Sequence, residues 1–155
     1  MLVLAFAGCT TSLYARHWRV STVPGASAHY TSVQAAQSDP LVLPGDTLYL
    51  EPGGTTQGNF TWTKRLVIIG NGFYLAANPE TQANTGTSRF EYIYIESGAS
   101  GSLITGCDIQ TVIALNNNVF NIFIKRNKMG NFSISGSVGS NIYILQNVIT
   151  NSFST

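Results

Sequence analysis

The residues of this chain that could do chemistry are few and scattered. Only seven of the 155 residues are acidic, and the neighbours Glu91 and Glu96 fall on opposite faces of a strand by simple alternation. His17 and His29 have no companion at a metal-ligand spacing. Because hydrolytic and metal-assisted chemistry needs clustered acids or ligands, we predict no complete catalytic set, metal site or cofactor in this chain. Whether the protein is an enzyme stays open at this stage.

The more interesting candidates are surface residues. Phe123 and Tyr143 are twenty residues apart and follow Leu103 at the same spacing, and Tyr94 is a candidate to extend that column. An exposed column of aromatic rings suits contact with sugar rings or the docking of another segment. Lys125 and Arg126 are two adjacent basic residues that could hold an acidic sugar, although a solvated turn is the simpler interpretation. Asp108 and Lys128 are interpreted as a surface ion pair.

The composition excludes some partners. Only 10% of the residues are charged, against roughly a quarter in an average soluble domain. The net charge is +1 and the basic residues are dispersed, so no electrostatic footprint for nucleic acid is present. A polar surface made of Asn, Ser, Thr, Gln and Gly is typical of β-rich secreted proteins.

Residues 1–15 differ from the rest and are predicted to be a leader. An apolar run from Leu2 to Ala7 is followed by small residues, and no charge precedes Arg16. This is typical of a secretory signal peptide, but the usual positive residues at its start are missing. The expectation is that either the start codon is misassigned or the leader is a fragment. A second interpretation is a lipoprotein leader, in which Cys9 would carry a lipid anchor, and a third is a buried N-terminal strand. Localisation is therefore predicted as secreted or cell surface, with membrane contact only through Cys9.

A period of twenty residues organises the second half of the chain. Ile104, Ile124 and Ile144 share it, and so do Cys107, Asn127 and Asn147. Such a period indicates stacked repeats, and three short apolar runs per repeat predict strands that pair in parallel from one repeat to the next. Cys107, Asn127 and Asn147 are predicted to form a ladder at a turn, in left-handed backbone conformation. The predicted fold for residues 16–155 is all-β, a right-handed single-stranded parallel β-helix.

Two local patterns complete the prediction. Thr31 and Gln34 fit a capping box that begins a short helix ending before Pro40. The segment from Arg89 to Gly98 alternates, which places Phe90, Tyr92 and Tyr94 on one face and Ile93 and Ile95 on the other.

Three segments resemble one family. The stretches "YTSVQAA" at 30–36, "PGDTLYL" at 44–50 and "RLVIIGNG" at 65–72 resemble the opening of pectin-lyase-like β-helix proteins of secreted bacterial origin. The resemblance implies a capping helix before the first coil, and a longer protein of which this chain is the N-terminal part. Its further coils would then be partners at the C-terminal end.

The resemblance is specific for the fold, but it gives little indication of the activity. We expect a secreted or surface-anchored module that contacts polysaccharide or a cell surface. The alternative is the N-terminal portion of a polysaccharide lyase or glycoside hydrolase whose catalytic residues lie beyond this chain.

Overall fold

The computed structural model of the protein describes residues 15–53, 55–77, 84–114, 118–134 and 141–154. The leader predicted for residues 1–15, with Cys9, therefore lies outside the described residues except for Ala15. No helix in the described ranges is long and apolar enough to cross a membrane.

The described chain is mostly strand. The elements are β1 (His17–Val20), α1 (Val33–Ser38), β2 (Thr47–Leu50), β3 (Asn59–Trp62), β4 (Val67–Ile69), β5 (Arg89–Ile95), β6 (Leu103–Thr105), β7 (Asp108–Ala114), β8 (Ile122–Lys125), β9 (Lys128–Ile134), β10 (Ile142–Leu145) and β11 (Val148–Ser154). Two short 3-10 helices, Leu75–Ala77 and Ser97–Ala99, interrupt the connections.

The strands form two parallel sheets between which the chain alternates. One sheet has six strands in the order β1-β2-β4-β6-β8-β10, and the other has five in the order β11-β9-β7-β5-β3. From β6 onward, strands pair with their equivalents twenty residues later, as in Ile104 with Ile124 and Ile109 with Met129. The register shifts by one residue after Ile149 in β11, where Ser152 pairs with Asn131. The all-β class and the parallel pairing are thus confirmed.

The core lies between the two sheets. Every second residue of the six-stranded sheet points into it, including Ile68, Ile104 and Ile124, all of which are fully buried. Trp62 and Phe132 fill it from the other sheet.

The inward and outward alternation of the five-stranded sheet is interrupted along a line that crosses β5 and β9 and the unpaired position of β7 between them, and we call this line the bend. Phe90 pairs with Ile109, and the next pair is Tyr92 with Thr111, so Glu91 and Gln110 stand at the bend outside the regular register. Both Phe90 and Ile93 are consequently buried. The predicted alternation that placed Phe90 on the outer face with Tyr92 is therefore wrong, because the bend resets the two-residue period.

A short helix covers one end of both sheets. Its N-cap is Ser32, whose hydroxyl accepts a hydrogen bond from the Ala35 N–H, so the capping residue is one position later than the predicted Thr31. The amide side chain of Gln37 accepts from the Thr63 N–H and donates to the Thr61 carbonyl. Gln34 accepts from the Thr61 N–H. The helix thereby provides hydrogen-bond partners for backbone groups at the outer edge of β3.

Candidate functional site

The six-stranded sheet presents an outward surface that we call the aromatic face. Its residues alternate with the buried isoleucines and pair in register across β4, β6, β8 and β10. They are Val67, Ile69, Leu103, Thr105, Phe123, Lys125, Tyr143 and Leu145. Lys125 is the one charged residue in this set. Phe123, Tyr143 and Leu145 are each more than a third exposed, so the surface is broad, apolar and accessible.

Phe123 and Tyr143 form the centre of the aromatic face. Their strands pair directly at these two residues, and their ring centroids are 4.6 Å apart at an interplanar angle of 9°. Because the rings stack along the column, each covers one face of the other. The ring edges, the Tyr143 hydroxyl and the face of the Tyr143 ring turned away from Phe123 remain available to a ligand.

The remaining predicted contact residues separate into two places. Lys125 lies in the column next to Phe123 and shares the aromatic face. Arg126 follows at the turn, where its guanidinium Nε donates to the Gln146 side chain at 3.0 Å. Tyr94, in contrast, belongs to β5 in the other sheet and stacks on Tyr92 at 6.1 Å. The prediction that Tyr94 extends the column is wrong, because β5 and β8 belong to different sheets.

The turn ladder consists of side-chain bonds between successive repeats. The Asn127 side-chain oxygen accepts from the Cys107 N–H at 3.0 Å, and the Asn147 oxygen accepts from the Asn127 N–H at 2.8 Å. The Asn127 amide also donates to the Ile104 and Lys125 carbonyls. Cys107 is completely buried, and burial raises the pKa of its thiol. Cys107 and Asn127 are buried and Asn147 is partly exposed, and the bonds of all three hold the turn.

The left-handed residues of this turn are the ones just before the ladder. Arg126 and Gln146 have φ of 53° and 54°, and Gly106 occupies the equivalent position with φ of 71°. The prediction that the ladder residues themselves adopt this conformation is wrong. Left-handed asparagines do occur at the other turn, where Asn121 and Asn141 have φ of 54° and 71° and their side chains bond to each other at 3.3 Å. The segment "NIFIKRN", residues 121–127, therefore begins with the left-handed Asn121 and ends with the ladder residue Asn127.

A second surface lies along the bend of the five-stranded sheet, and we call it the charged groove. Arg89, Asp108 and Lys128 pair in successive strands, and Lys128 Nζ lies 3.1 Å from the Asp108 carboxylate. Lys128 Nζ is also 5.5 Å from the centroid of the Tyr74 ring. The predicted ion pair is thus present, half-exposed as expected.

Two cavities open along the charged groove, and Arg89 lines both. The larger, of about 450 Å³, is lined by threonines and glycines together with Arg89 and Glu91. The smaller, of about 180 Å³, includes Asp108, Gln110 and Lys128. The search for a period missed Arg89, because the separation of Arg89 and Asp108 in the sequence is one residue short of twenty.

No group of three or more His, Cys, Asp or Glu residues that could hold a metal ion occurs among the described residues. Searches against protein-family models, curated proteins and solved structures found nothing that matches this chain.

Proposed function

We propose that the chain is a right-handed parallel β-helix module, similar to pectin-lyase-like proteins, that binds polysaccharide through its aromatic face. We place it outside the cytoplasm, secreted or anchored at the cell surface. The alternation of the chain between two parallel sheets and the twenty-residue register support the fold. The leader-like residues 1–15 and the low charge content support the location.

The stacked pair of Phe123 and Tyr143 is the observation that carries the binding proposal. Both rings are exposed, by 37% and 39%, on a surface whose other members are mostly apolar or hydroxylic. Contiguous exposed apolar surface on a soluble domain marks interaction sites. Aromatic side chains with a polar tip suit ligands that are apolar on one side and hydroxylated on the other, and sugar rings have that character.

The geometry of the rings restricts how a sugar would bind. Because Phe123 and Tyr143 cover one face of each other, a sugar would contact the ring edges, the other face of Tyr143 and the Tyr143 hydroxyl. Lys125 in the next column would hold a carboxylate if the polymer is acidic. Neighbouring rungs of a sheet are ~4.8 Å apart, so a polymer lying along the column would meet similar groups at regular intervals.

Binding to polygalacturonate and to neutral xylan, measured by affinity electrophoresis and calorimetry, tests the proposal. We expect Phe123→Ala and Tyr143→Ala each to weaken binding about tenfold, since an aromatic contact contributes about 1 kcal/mol beyond its buried area. Lys125→Gln should weaken binding of polygalacturonate and leave that of xylan unchanged. An acid-specific loss in Arg126→Gln would extend the site to the turn.

Two controls keep this test specific. Phe120 is 41% exposed but lies in the turn before β8, so Phe120→Ala should bind like the parent chain. Tyr94→Ala should also leave binding unchanged, since Tyr94 lies in the other sheet. Arg89→Ala reports on the charged groove. Binding that survives both aromatic-face substitutions, or is lost only in Arg89→Ala, would refute the aromatic face as the site.

The enzymatic alternative, a lyase or hydrolase portion, remains a prediction from the sequence. No particular observation among the described residues favours it over binding.

A further inference from the structure

Asp46 is the one acidic residue in the described part of the chain that is buried, with 1% of its surface exposed. One oxygen of its carboxylate accepts hydrogen bonds from the Trp18 indole and the Leu43 N–H, at 2.8 and 2.9 Å. The other oxygen accepts from the backbone N–H of Arg16 at 2.8 Å. An enclosed negative charge is therefore held by three donors that are all neutral.

This enclosed carboxylate has no cation beside it. The ion pairs formed within the described ranges do not include Asp46, and the Arg16 guanidinium favours its charge only from beyond ion-pair distance. Buried charges in proteins are usually paired, because a charge that leaves water loses its hydration. A positive charge at the position of the Arg16 nitrogen would supply the missing partner.

The Arg16 nitrogen is fixed at this carboxylate by the sheet. The Arg16 carbonyl accepts from the Thr47 N–H at 2.8 Å, which continues the ladder between β1 and β2. Because Thr47 follows Asp46 directly, both backbone groups of Arg16 are held by two consecutive residues. Neither bond uses an atom of the residues before Arg16, so a chain that begins at Arg16 would keep both.

The same nitrogen lies at the boundary of the predicted leader, residues 1–15. No charged residue precedes Arg16, and Ala15 is small, as is usual for the residue before a signal-peptide cleavage site. Hydrolysis of the bond between Ala15 and Arg16 adds one water, leaves a carboxylate on Ala15 and turns the Arg16 amide into an ammonium group. An α-amino group has an ordinary pKa of ~7.7–8.0 and is mostly charged at neutral pH.

We propose that the leader is cut before Arg16 and that Asp46 is the receptor of the α-ammonium group that the cut creates. Cleavage replaces a neutral donor by a cationic one at an enclosed position, where an ion pair is screened little by salt. It thereby links removal of the leader to the stability of β1 and β2. The processing step rests on the location outside the cytoplasm proposed above, and not on polysaccharide binding.

Other interpretations of the leader leave Asp46 without a cation. Processing before Cys9 would keep residues 9–15 in front of Arg16, and an uncut leader would keep the Arg16 nitrogen as an amide. In both cases the carboxylate retains neutral donors alone. The enclosure of Asp46 thus favours the cut before Arg16.

Two full-length chains test the pairing. In the first, the recognition sequence of a specific endoprotease replaces residues 11–15, so that cleavage frees the amino group of Arg16. In the second, the same sequence replaces residues 10–14, so that cleavage frees the amino group of Ala15, one residue away from Asp46. Urea unfolding is measured before and after cleavage. We expect cleavage to lower the unfolding equilibrium constant about tenfold more in the first chain, because an ionised donor strengthens the bond.

The reactivity of the freed amino group gives a second measurement, one that added stability alone would not change. An ammonium group paired with Asp46 resists acylation, whereas the Ala15 amino group of the second chain is unpaired. With an anhydride at neutral pH, we expect Arg16 to be acylated at least about tenfold more slowly in the folded chain than in urea, since one unit of pKa is a tenfold change. Peptide mass spectrometry measures the rates. Equal stability changes in the two chains, or equally fast acylation of folded and unfolded Arg16, overturns the pairing.

The first residue of the processed protein tests the cut itself. The full chain is expressed in a bacterium with two lysines inserted after Met1, which supply the positive residues of an export signal, and its intact mass is measured. We expect Arg16 as the first residue, and a lipidated Cys9 or any other first residue overturns the processing site. A chain that is neither exported nor cut refutes the proposed location together with the processing site, whereas the two engineered chains still decide on the pairing.

Discussion

The Asn147 side-chain oxygen accepts two hydrogen bonds from Asn127, one from its backbone N–H at 2.8 Å and one from its side-chain amide at 3.2 Å. Asn127 in turn bonds to the Cys107 N–H. Each Asn thus satisfies the backbone of the repeat before it, which makes the ladder directional. The cost of removing a member depends on how deeply the groups it satisfies are buried.

Asn127→Ala is expected to destabilise the protein by about 3 kcal/mol, because it removes the acceptor of the buried Cys107 N–H and the amide that donates to the Ile104 and Lys125 carbonyls. Asn147→Ala should cost about 1 kcal/mol, since Asn147 lies at the more exposed end. Urea unfolding followed by circular dichroism measures both free energies. Equal losses in the two variants would contradict the directional account.

Asp46 should make stability fall in acid. Burial alone would raise the pKa of this carboxyl, but hydrogen bonds from the Arg16 N–H, the Trp18 indole and the Leu43 N–H outweigh it and hold the pKa below its usual range. A lowered folded-state pKa gives stability that is complete above the unfolded value of ~3.9 and is lost as pH falls through the folded-state pKa. We expect Asp46→Asn to cost about 3 kcal/mol at neutral pH and much less in strong acid.

Unfolding curves between neutral pH and strong acid, measured on Asp46→Asn and on the parent chain, check the Asp46 prediction. A profile that Asp46→Asn does not flatten would contradict the assignment.

The Cys107 thiol should be inert in the folded protein. It is fully buried, and burial raises its pKa, so the reactive thiolate is not formed near neutral pH. In a Cys9→Ser background, an aromatic disulfide reagent should label no thiol natively and one per chain in denaturant. Rapid native labelling would show that the core opens at this rung.

The ion pair between Asp108 and Lys128 should contribute little to stability. Both side chains are partly exposed, and such pairs contribute about 0–1 kcal/mol. Asp108→Asn is therefore expected to shift the free energy of unfolding by less than about 1 kcal/mol, with the difference shrinking in high salt. Lys128→Met should cost slightly more, because it also removes the contact with the Tyr74 ring. A loss of several kcal/mol in Asp108→Asn would identify a desolvated pair.

The periodic part of the fold could be predicted from the sequence because its spacing is regular. Ile104, Ile124 and Ile144 pair as their period predicts, and the ladder bonds connect Cys107, Asn127 and Asn147. The positions of Phe90 and Tyr94 could not be predicted in this way. Simple alternation assumes a straight strand, whereas β5 bends at Glu91, and the sheet to which a strand belongs depends on where the chain turns.

The candidate contact residues were only partly predictable for the same reason. Phe123, Tyr143 and Lys125 follow the twenty-residue period and meet on one face. Arg89 begins β5 and pairs with Asp108 nineteen residues later, one residue short of the period. A search for residues at equal spacing therefore does not find it.

The pairing of each strand only with its neighbours in its own sheet has a consequence for how the molecule comes apart. In such linear arrays the free energy is close to a sum over adjacent units, so damage at one rung is felt mainly by the rungs beside it. Local opening of one rung should therefore be possible without loss of the whole fold, and amide protection should change from rung to rung along the axis.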